Sequence, residues 1–214
     1  AARFDPRMDW SGACHGGLIL SPTLTSPARP VPFRREPIRL GPNWGPMTSR
    51  TQWVPWHAHN GGKMPINIGA ALDARGRRGG VRTTREPDAW VSYDRAMIQC
   101  AVQDGTDKSY TRADGIGFVL TKDDPFVCID LDIKKIDETS GQMQLARLVI
   151  QHCESLCELS PSGKGAHIWG YLHDPHLRAL IGSARYGVCG FIDILQYRVY
   201  ATVTGRVFRD VPLF

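Results

Sequence analysis

Two carboxylates that are two residues apart, Asp130 and Asp132, lie in the apolar segment Phe126–Ile133. Side chains of a β-strand alternate between its two faces, so both carboxylates would emerge opposite Ile129 and Leu131. Ionised carboxylates that lie this close repel each other, and a divalent cation such as Mg²⁺ or Mn²⁺ supplies the compensating charge. The spacing predicts a metal site, with a polar strand edge that faces solvent as the alternative.

The segment Ser160–His167, with the sequence Ser-Pro-Ser-Gly-Lys-Gly-Ala-His, has the composition of an anion-binding loop. Two glycines flank Lys164, so the backbone could approach a phosphate closely and present its N–H groups. The Ser162 hydroxyl could donate a hydrogen bond, and Lys164 would add positive charge. The spacing differs from that of P-loop nucleoside triphosphatases. The segment predicts a phosphate site or, alternatively, a flexible surface turn.

A third acid, Asp193, stands between two isoleucines in the segment Phe191–Leu195. If Ile192 and Ile194 face the core, Asp193 faces the other way. Asp130, Asp132 and Asp193 could then converge, provided that their strands are adjacent. Three carboxylates could hold two divalent ions, which clamp the attacking hydroxyl and the leaving pyrophosphate of an in-line phosphoryl transfer.

The N-terminal part of the chain carries most of its positive charge. Residues 1–80 contain eleven Lys and Arg residues against four Asp and Glu residues, and the whole chain has a formal net charge of +5. Residues 71–85 contain five arginines among glycines: Arg75, Arg77, Arg78, Arg82 and Arg85. We expect them to follow the phosphates of a nucleic acid. Trp53 or Trp56 could add base stacking, although burial is expected for at least one of them. A solvated basic surface is the alternative.

The elements that position these residues follow from hydrophobic periodicity and from turn residues. Helices are predicted from Pro87 to about Val102, over 141–156 and near 174–182. In the second helix, Leu145, Leu148 and Val149 would form the buried face. Strands are predicted at 52–56, 115–120, 126–133, 166–171, 190–195, 199–204 and 207–213. This mixed order predicts an α+β fold.

The domain organisation follows from the proline distribution. Residues 1–48 are rich in proline and predict an extended arm or linker, with the folded part beginning near Gln52 and the domain spanning 49–214. The six cysteines have no zinc-finger spacing, and Cys153 and Cys157 are expected to pack in the core rather than share a metal. No apolar run is long enough for a membrane span, so we expect a cytoplasmic protein with free thiols and no membrane partner.

Four motifs, in this order and spacing, resemble the bifunctional DNA primase/polymerase domain of phages and plasmids, in the archaeo-eukaryotic primase superfamily. They are Gly-Ile-Gly-Phe-Val-Leu at 115–120, Phe-Val-Cys-Ile-Asp-Leu-Asp at 126–132, Glu-Leu-Ser-Pro-Ser-Gly-Lys-Gly-Ala-His-Ile at 158–168, and Ile-Asp-Ile at 192–194 followed by Tyr-Ala-Thr-Val-Thr-Gly at 200–205. Any one of them is a loose pattern. The resemblance covers about residues 50–206.

The resemblance implies a fold and a set of roles. The fold is a largely antiparallel sheet with an RRM-like catalytic core flanked by helices. Asp130, Asp132 and Asp193 would be catalytic ligands of two Mg²⁺ or Mn²⁺ ions, although many relatives have Glu at the third position. The residues that would bind the triphosphate of the incoming nucleotide are Ser162, Lys164, His167 and Arg198. The implied partners are a single-stranded DNA template, nucleoside triphosphates and a helicase.

Three functions are compatible with these residues. The first is a template-dependent nucleotidyltransferase that starts or extends strands on single-stranded DNA in phage or plasmid replication. The second is a primase-like module that binds nucleic acid or nucleotide without turnover. The third is a two-metal nuclease, because acidic clusters also cleave phosphodiesters. The Ser-Gly-Lys-Gly-His pattern favours the polymerase over the nuclease, and the presence of all three acids argues against an inactive module.

Overall fold

A computed structural model gives the fold of residues 38–59, 62–66, 87–101, 113–133, 136–137, 140–182 and 185–214. Its α-helices are α1 (Gly45–Thr48), α2 (Tyr93–Ala101), α3 (Gly141–His152) and α4 (Pro175–Ile181). Its strands are β1 (Trp53–His59), β2 (Gly62–Pro65), β3 (Gly115–Leu120), β4 (Phe126–Leu131), β5 (Cys157–Leu159), β6 (Ala166–Tyr171), β7 (Arg185–Val188), β8 (Ile192–Leu195), β9 (Val199–Val203) and β10 (Val207–Arg209). The predicted α+β class is confirmed.

The strands form two sheets, and each strand pair within these sheets is antiparallel. One sheet has the order β2-β1-β3-β9, and the other has the order β10-β5-β6-β4-β8-β7. The consecutive strands β3 and β4 therefore belong to different sheets. The turn between them is held by the buried carboxylate of Asp124, which accepts hydrogen bonds from the Gln52 side chain at 2.7 Å and from the Phe126 backbone at 3.0 Å. This turn passes the chain from one sheet to the other.

Aromatic side chains fill the space between the two sheets. Phe118 of the four-stranded sheet meets Phe126 of the six-stranded sheet edge to face, with ring centroids 5.4 Å apart. Trp44, which is fully buried, contacts Trp169 with centroids 5.7 Å apart, and Met47 belongs to the same core. Residues 38–48 are thus part of the folded unit, which corrects the expectation that folding begins near Gln52. Their apolar side chains outweigh the proline and glycine content that suggested a linker.

Helix α3 covers the other face of the six-stranded sheet. Ser140 caps its N-terminus by accepting a hydrogen bond from the Met143 backbone. The residues that α3 buries are Met143, Ala146 and Ile150, whereas Leu148 is half exposed, so the predicted buried face was wrong. The helix contains two apolar stripes. The stripe with Met143, Ala146 and Ile150 is the buried one, because it packs against apolar residues on and beside the sheet. These are Leu131, Ile133 and Ile168.

Several element boundaries also differ from the sequence predictions. Helix α2 begins at Tyr93, because Pro87–Ala89 forms a 3-10 turn and Val91 pairs with Trp53 as an isolated bridge. Helix α3 ends at His152, and Leu156 packs in the core between the sheets. Strand β10 ends at Arg209, earlier than predicted. In the part of the chain that the structure describes, no helix is long and apolar enough to cross a membrane.

Candidate active site

Four polar side chains form a continuous row across the six-stranded sheet. Asp130 of β4 lies opposite His167 of β6 on one side and opposite Asp193 of β8 on the other. His167 in turn lies opposite Glu158 of β5. Directly paired residues of antiparallel strands project from the same face, with Cβ atoms about 4.5–5.5 Å apart. The structure therefore brings together three residues that the sequence analysis selected, and it adds Glu158.

The acidic part of this row is compensated by Arg185, which sequence reasoning missed. The Arg185 guanidinium donates a hydrogen bond to Asp193 from the neighbouring strand β7. That hydrogen bond and the charges of Asp193, Asp130 and Asp132 raise the pKa of Arg185, against the lowering effect of partial burial. All three acids thus act electrostatically on one cation. The signal in the sequence was an arginine eight residues before Asp193. A hairpin formed by consecutive strands can bring two residues at this separation alongside each other.

The three acids do not form a complete metal cage as they stand. Among the residues that the structure describes, no group of three or more His, Cys, Asp or Glu side chains is arranged to hold a metal ion. One oxygen of Asp193 is engaged by Arg185. Asp132 follows the last residue of β4, and its backbone N–H donates to the Phe191 carbonyl at 2.8 Å. The donor set is nevertheless composed of carboxylate oxygens, which Mg²⁺ and Mn²⁺ prefer.

Cys128 lies two residues before Asp130 on the same face of β4, next to this row, and is fully buried. Burial raises the pKa of the Cys128 thiol well above its usual value, and the charges of Asp130 and Glu158 act in the same direction. The group therefore stays a neutral thiol at physiological pH. It packs as part of the core.

The predicted anion loop connects β5 to β6. It lies at the end of the strands where β4 also ends, beside Leu131. The Ser160 N–H donates to the Gly165 carbonyl at 2.9 Å, and the Gly163 N–H donates to the Ser160 carbonyl at 2.8 Å. Gly163 has a positive φ of 67°, which favours glycine. A Cβ atom on Gly165 would collide with the carbonyl oxygen of Leu131, so this glycine allows the loop to pack on β4.

Two basic side chains accompany the loop. Lys164 is partly exposed, and its backbone N–H donates to the exposed Ser162 hydroxyl at 3.2 Å. Arg206, which follows β9, donates to the Ser160 carbonyl, and its guanidinium lies near Gly163. Arg206 was not predicted from the sequence, where it lies between the strands expected at 199–204 and 207–213. Its position after Thr204 and Gly205, in the last motif, was the available signal.

His167 connects the loop to the acids. The ring is buried, with its Nε2 atom 3.7 Å from Oδ1 of Asp130 and its Nδ1 atom 3.4 Å from Oε1 of Glu158. Trp169, two residues later on the same face, donates its indole N–H to that oxygen of Glu158 at 3.1 Å. His167 therefore lies between two carboxylates, with one ring nitrogen directed to each.

Other residues selected from the sequence lie away from this site. Arg198 is exposed in the turn after β8, where its backbone N–H donates to the Leu120 carbonyl at 2.9 Å. This turn lies at the end of the strands that is opposite the acids. Trp53 and Trp56 are buried, which excludes them as exposed stacking surfaces for bases. The proposed nucleic-acid-binding arginines lie outside the described residues: Arg75, Arg77, Arg78 and Arg82.

Comparison with known proteins relates this geometry to a family. No protein-family model matches the chain. A curated protein of Nitratiruptor phage NrS-1, described as a DNA primase-polymerase, is 31% identical to the chain over 159 residues. The alignment covers 73% of this chain and 19% of the phage protein, so the chain spans about a fifth of that relative's length. Together with the four motifs, this similarity supports a primase-polymerase domain in this chain.

Proposed function

We propose that this domain is a template-dependent nucleotidyltransferase, a DNA primase and DNA polymerase that synthesises or extends a strand on single-stranded DNA. The observation that carries the proposal is the row of His167, Asp130 and Asp193 beside the loop Ser160–Gly165. Carboxylates that could bind metal ions and a loop that could bind phosphate lie at the same end of these strands. This arrangement suits transfer of a nucleotide from its triphosphate. The similarity to a phage DNA primase-polymerase supports the same reaction.

Asp130, Asp132 and Asp193 are the residues that would hold Mg²⁺ or Mn²⁺. Their fit is supported by Arg185, because a side-chain cation already lies in the combined field of the three carboxylates. When bound, two such ions would neutralise charge on the attacking 3′-hydroxyl and on the leaving pyrophosphate. Arg185 contacts Oδ2 of Asp193, so Oδ1 could coordinate a metal, while the positive charge of Arg185 would oppose the ion.

The remaining residues of the site would bind and orient the nucleotide. Ser162, Lys164 and Arg206 surround the turn of the loop, where they can contact phosphate oxygens. His167 would contact the same triphosphate through Nε2, the ring nitrogen on the side of Asp130. Charge-assisted hydrogen bonds of this kind contribute about 1.5–3 kcal/mol each. A single-stranded template and nucleoside triphosphates are the proposed substrates, and a helicase partner stays a prediction.

The proposal is tested by incubating the protein with a primed single-stranded template, deoxynucleoside triphosphates and Mn²⁺. We expect primer extension by the wild type, and a loss on the order of 100-fold or more in Asp130→Asn. The matched control is Asp123→Asn, which removes the same charge from the exposed turn before β4 and should extend normally. Equal activity of both variants would remove Asp130 from the mechanism.

The same reaction separates the competing functions. Shortening of the primer or template, without extension, would identify a two-metal nuclease. Retention of DNA or nucleotide with neither extension nor shortening would identify a binding module. The anion loop beside the acids favours extension, because hydrolysis of a phosphodiester requires no triphosphate site.

A further inference from the structure

Glu158 is a fully buried carboxylate to which the proposed function has assigned no role. Its Oε1 atom faces His167 Nδ1 at 3.4 Å and accepts from Trp169 Nε1 at 3.1 Å. Its Oε2 atom accepts from the backbone N–H groups of Thr204 at 2.9 Å and Gly205 at 2.8 Å, and from the Thr204 hydroxyl at 2.8 Å. A buried charge is costly unless it is hydrogen-bonded, so this set of donors is what allows an ionised Glu158 in the core.

An ionised carboxylate can only accept hydrogen bonds, and this determines which nitrogen of His167 carries a proton. The Nδ1 atom must be the donor in its contact with Glu158. Nε2 is then the ring nitrogen on the side of Asp130. A carboxylate that fixes the tautomer and orientation of a functional histidine is a recurrent device in protein sites. We propose that Glu158 is a positioning residue that holds His167 with Nδ1 protonated and Nε2 directed toward the nucleotide.

The other oxygen of Glu158 gives this residue a second connection to the site. Thr204 and Gly205 form the passage from β9 of one sheet to β10 of the other. The next residue, Arg206, donates to the Ser160 carbonyl in the anion loop. One carboxylate therefore fixes both the histidine and the start of the segment that brings Arg206 to the loop. This part of the inference rests on the proposed function, because it concerns the nucleotide site.

The protonation of the two ring nitrogens is measured by two-dimensional ¹H–¹⁵N correlation of the histidine rings at several pH values. The His167 signals are identified by their loss in His167→Asn. In the wild type we expect Nδ1 to be protonated, since Glu158 accepts from it. A wild type with a proton on Nε2 alone would overturn the proposal, and this measurement needs no variant of Glu158 and no activity.

Replacement of Glu158 by glutamine supplies the second readout. The amide has one acceptor oxygen, which the fixed backbone N–H groups of Thr204 and Gly205 should retain, so that its NH₂ faces His167. We expect Nδ1 of His167 to lose its proton, which removes the positive charge that a doubly protonated ring would offer the triphosphate. Primer extension should fall by about 10–100-fold, as for other orienting partners of functional histidines. An unchanged tautomer in folded Glu158→Gln would contradict the proposal.

Thr204→Val is the control for a merely structural role. It removes the hydroxyl that contacts Oε2, the Leu159 carbonyl and the Arg206 backbone N–H, and it leaves the contact between Glu158 and His167 in place. We expect lower thermal stability with the wild-type tautomer. If Thr204→Val moved the proton as Glu158→Gln does, general loosening would explain both and the proposal would fail. A protonated Nδ1 without any primer extension would instead reject the proposed function and leave the positioning role intact.

Discussion

At the scale of single residues, Arg185 is the cation that pairs with the acidic row through Asp193. It is more than half exposed, and its ion pair with Asp193 therefore contributes at most about 1 kcal/mol to stability. The same guanidinium competes with any cation that Asp193 would ligate. Its main effect should consequently be on metal affinity and not on the fold.

We predict that Arg185→Gln binds Mn²⁺ several-fold more tightly than the wild type, as measured by isothermal titration calorimetry. The free energy of unfolding without metal should fall by less than about 1 kcal/mol. Arg147→Gln, an exposed arginine on α3 behind the sheet, should change neither quantity. Weaker Mn²⁺ binding in Arg185→Gln would mean that the arginine supports the site rather than competing with the ion.

Cys128 provides a prediction about pH. Its folded-state pKa is raised well above a usual value near 9, so the fold favours the protonated thiol. This stabilisation is complete below the unfolded-state pKa, and it is lost as the pH rises through the interval between the unfolded and the folded pKa. Relative to Cys128→Ala, the wild type should lose about 1.4 kcal/mol of unfolding free energy per pH unit above about pH 9.

Urea unfolding of both proteins between about pH 7 and pH 10 measures this difference. Replacement of the exposed Cys189 by serine is the control and should leave the pH dependence as it is in the wild type. A difference between wild type and Cys128→Ala that stays constant over this range would show that the thiol does not remain protonated in the fold.

At the scale of elements, the loop between β5 and β6 depends on its close packing against β4. Gly165 lies against the Leu131 carbonyl, and its missing side chain is what permits that approach. We predict that Gly165→Ala lowers the free energy of unfolding by about 1–3 kcal/mol and raises the nucleotide KM, because the loop must shift. Chemical denaturation and steady-state primer extension measure the two effects.

Gly141, the first residue of α3, has open space around its Cα atom and supplies the matched control. Alanine there should be neutral or stabilise the protein by up to about 1 kcal/mol, since alanine favours helix over glycine. Equal stability of the two variants would mean that the loop can move away from β4 without cost.

At the scale of the whole molecule, the distribution of charge concerns the template. The six-stranded sheet carries the acids, whereas the basic excess lies in residues 1–80. We predict that Arg77→Ala combined with Arg78→Ala weakens binding of single-stranded DNA and preserves nucleotide affinity. Each lost phosphate contact should flatten the plot of log affinity against log salt by about 0.7.

Filter binding at several salt concentrations measures that slope. Arg147→Ala, on the side of the sheet away from the acids, should retain the wild-type slope. If the double variant also retained it, residues 71–85 would be a solvated basic surface without contacts to the template.

The sequence by itself determined the local features of this protein. Alternation in β4 placed Asp130 opposite Ile129 and Leu131, and the glycines around Lys164 predicted the turn between β5 and β6. These features follow from nearest neighbours and from backbone sterics, which need no knowledge of distant contacts. The order of the motifs predicted the resemblance to primase-polymerases, which the similarity to the phage protein supports.

Only the tertiary structure decided which strands became neighbours. The registers of β5, β6, β4 and β8 brought Glu158, His167, Asp130 and Asp193 into one row, and β7 brought Arg185 to its end. The same long-range packing chose the buried stripe of α3, enclosed Trp44 and left Arg198 at the far end of the sheet. Strand pairing depends on residues far apart in the chain, so local periodicity cannot specify it.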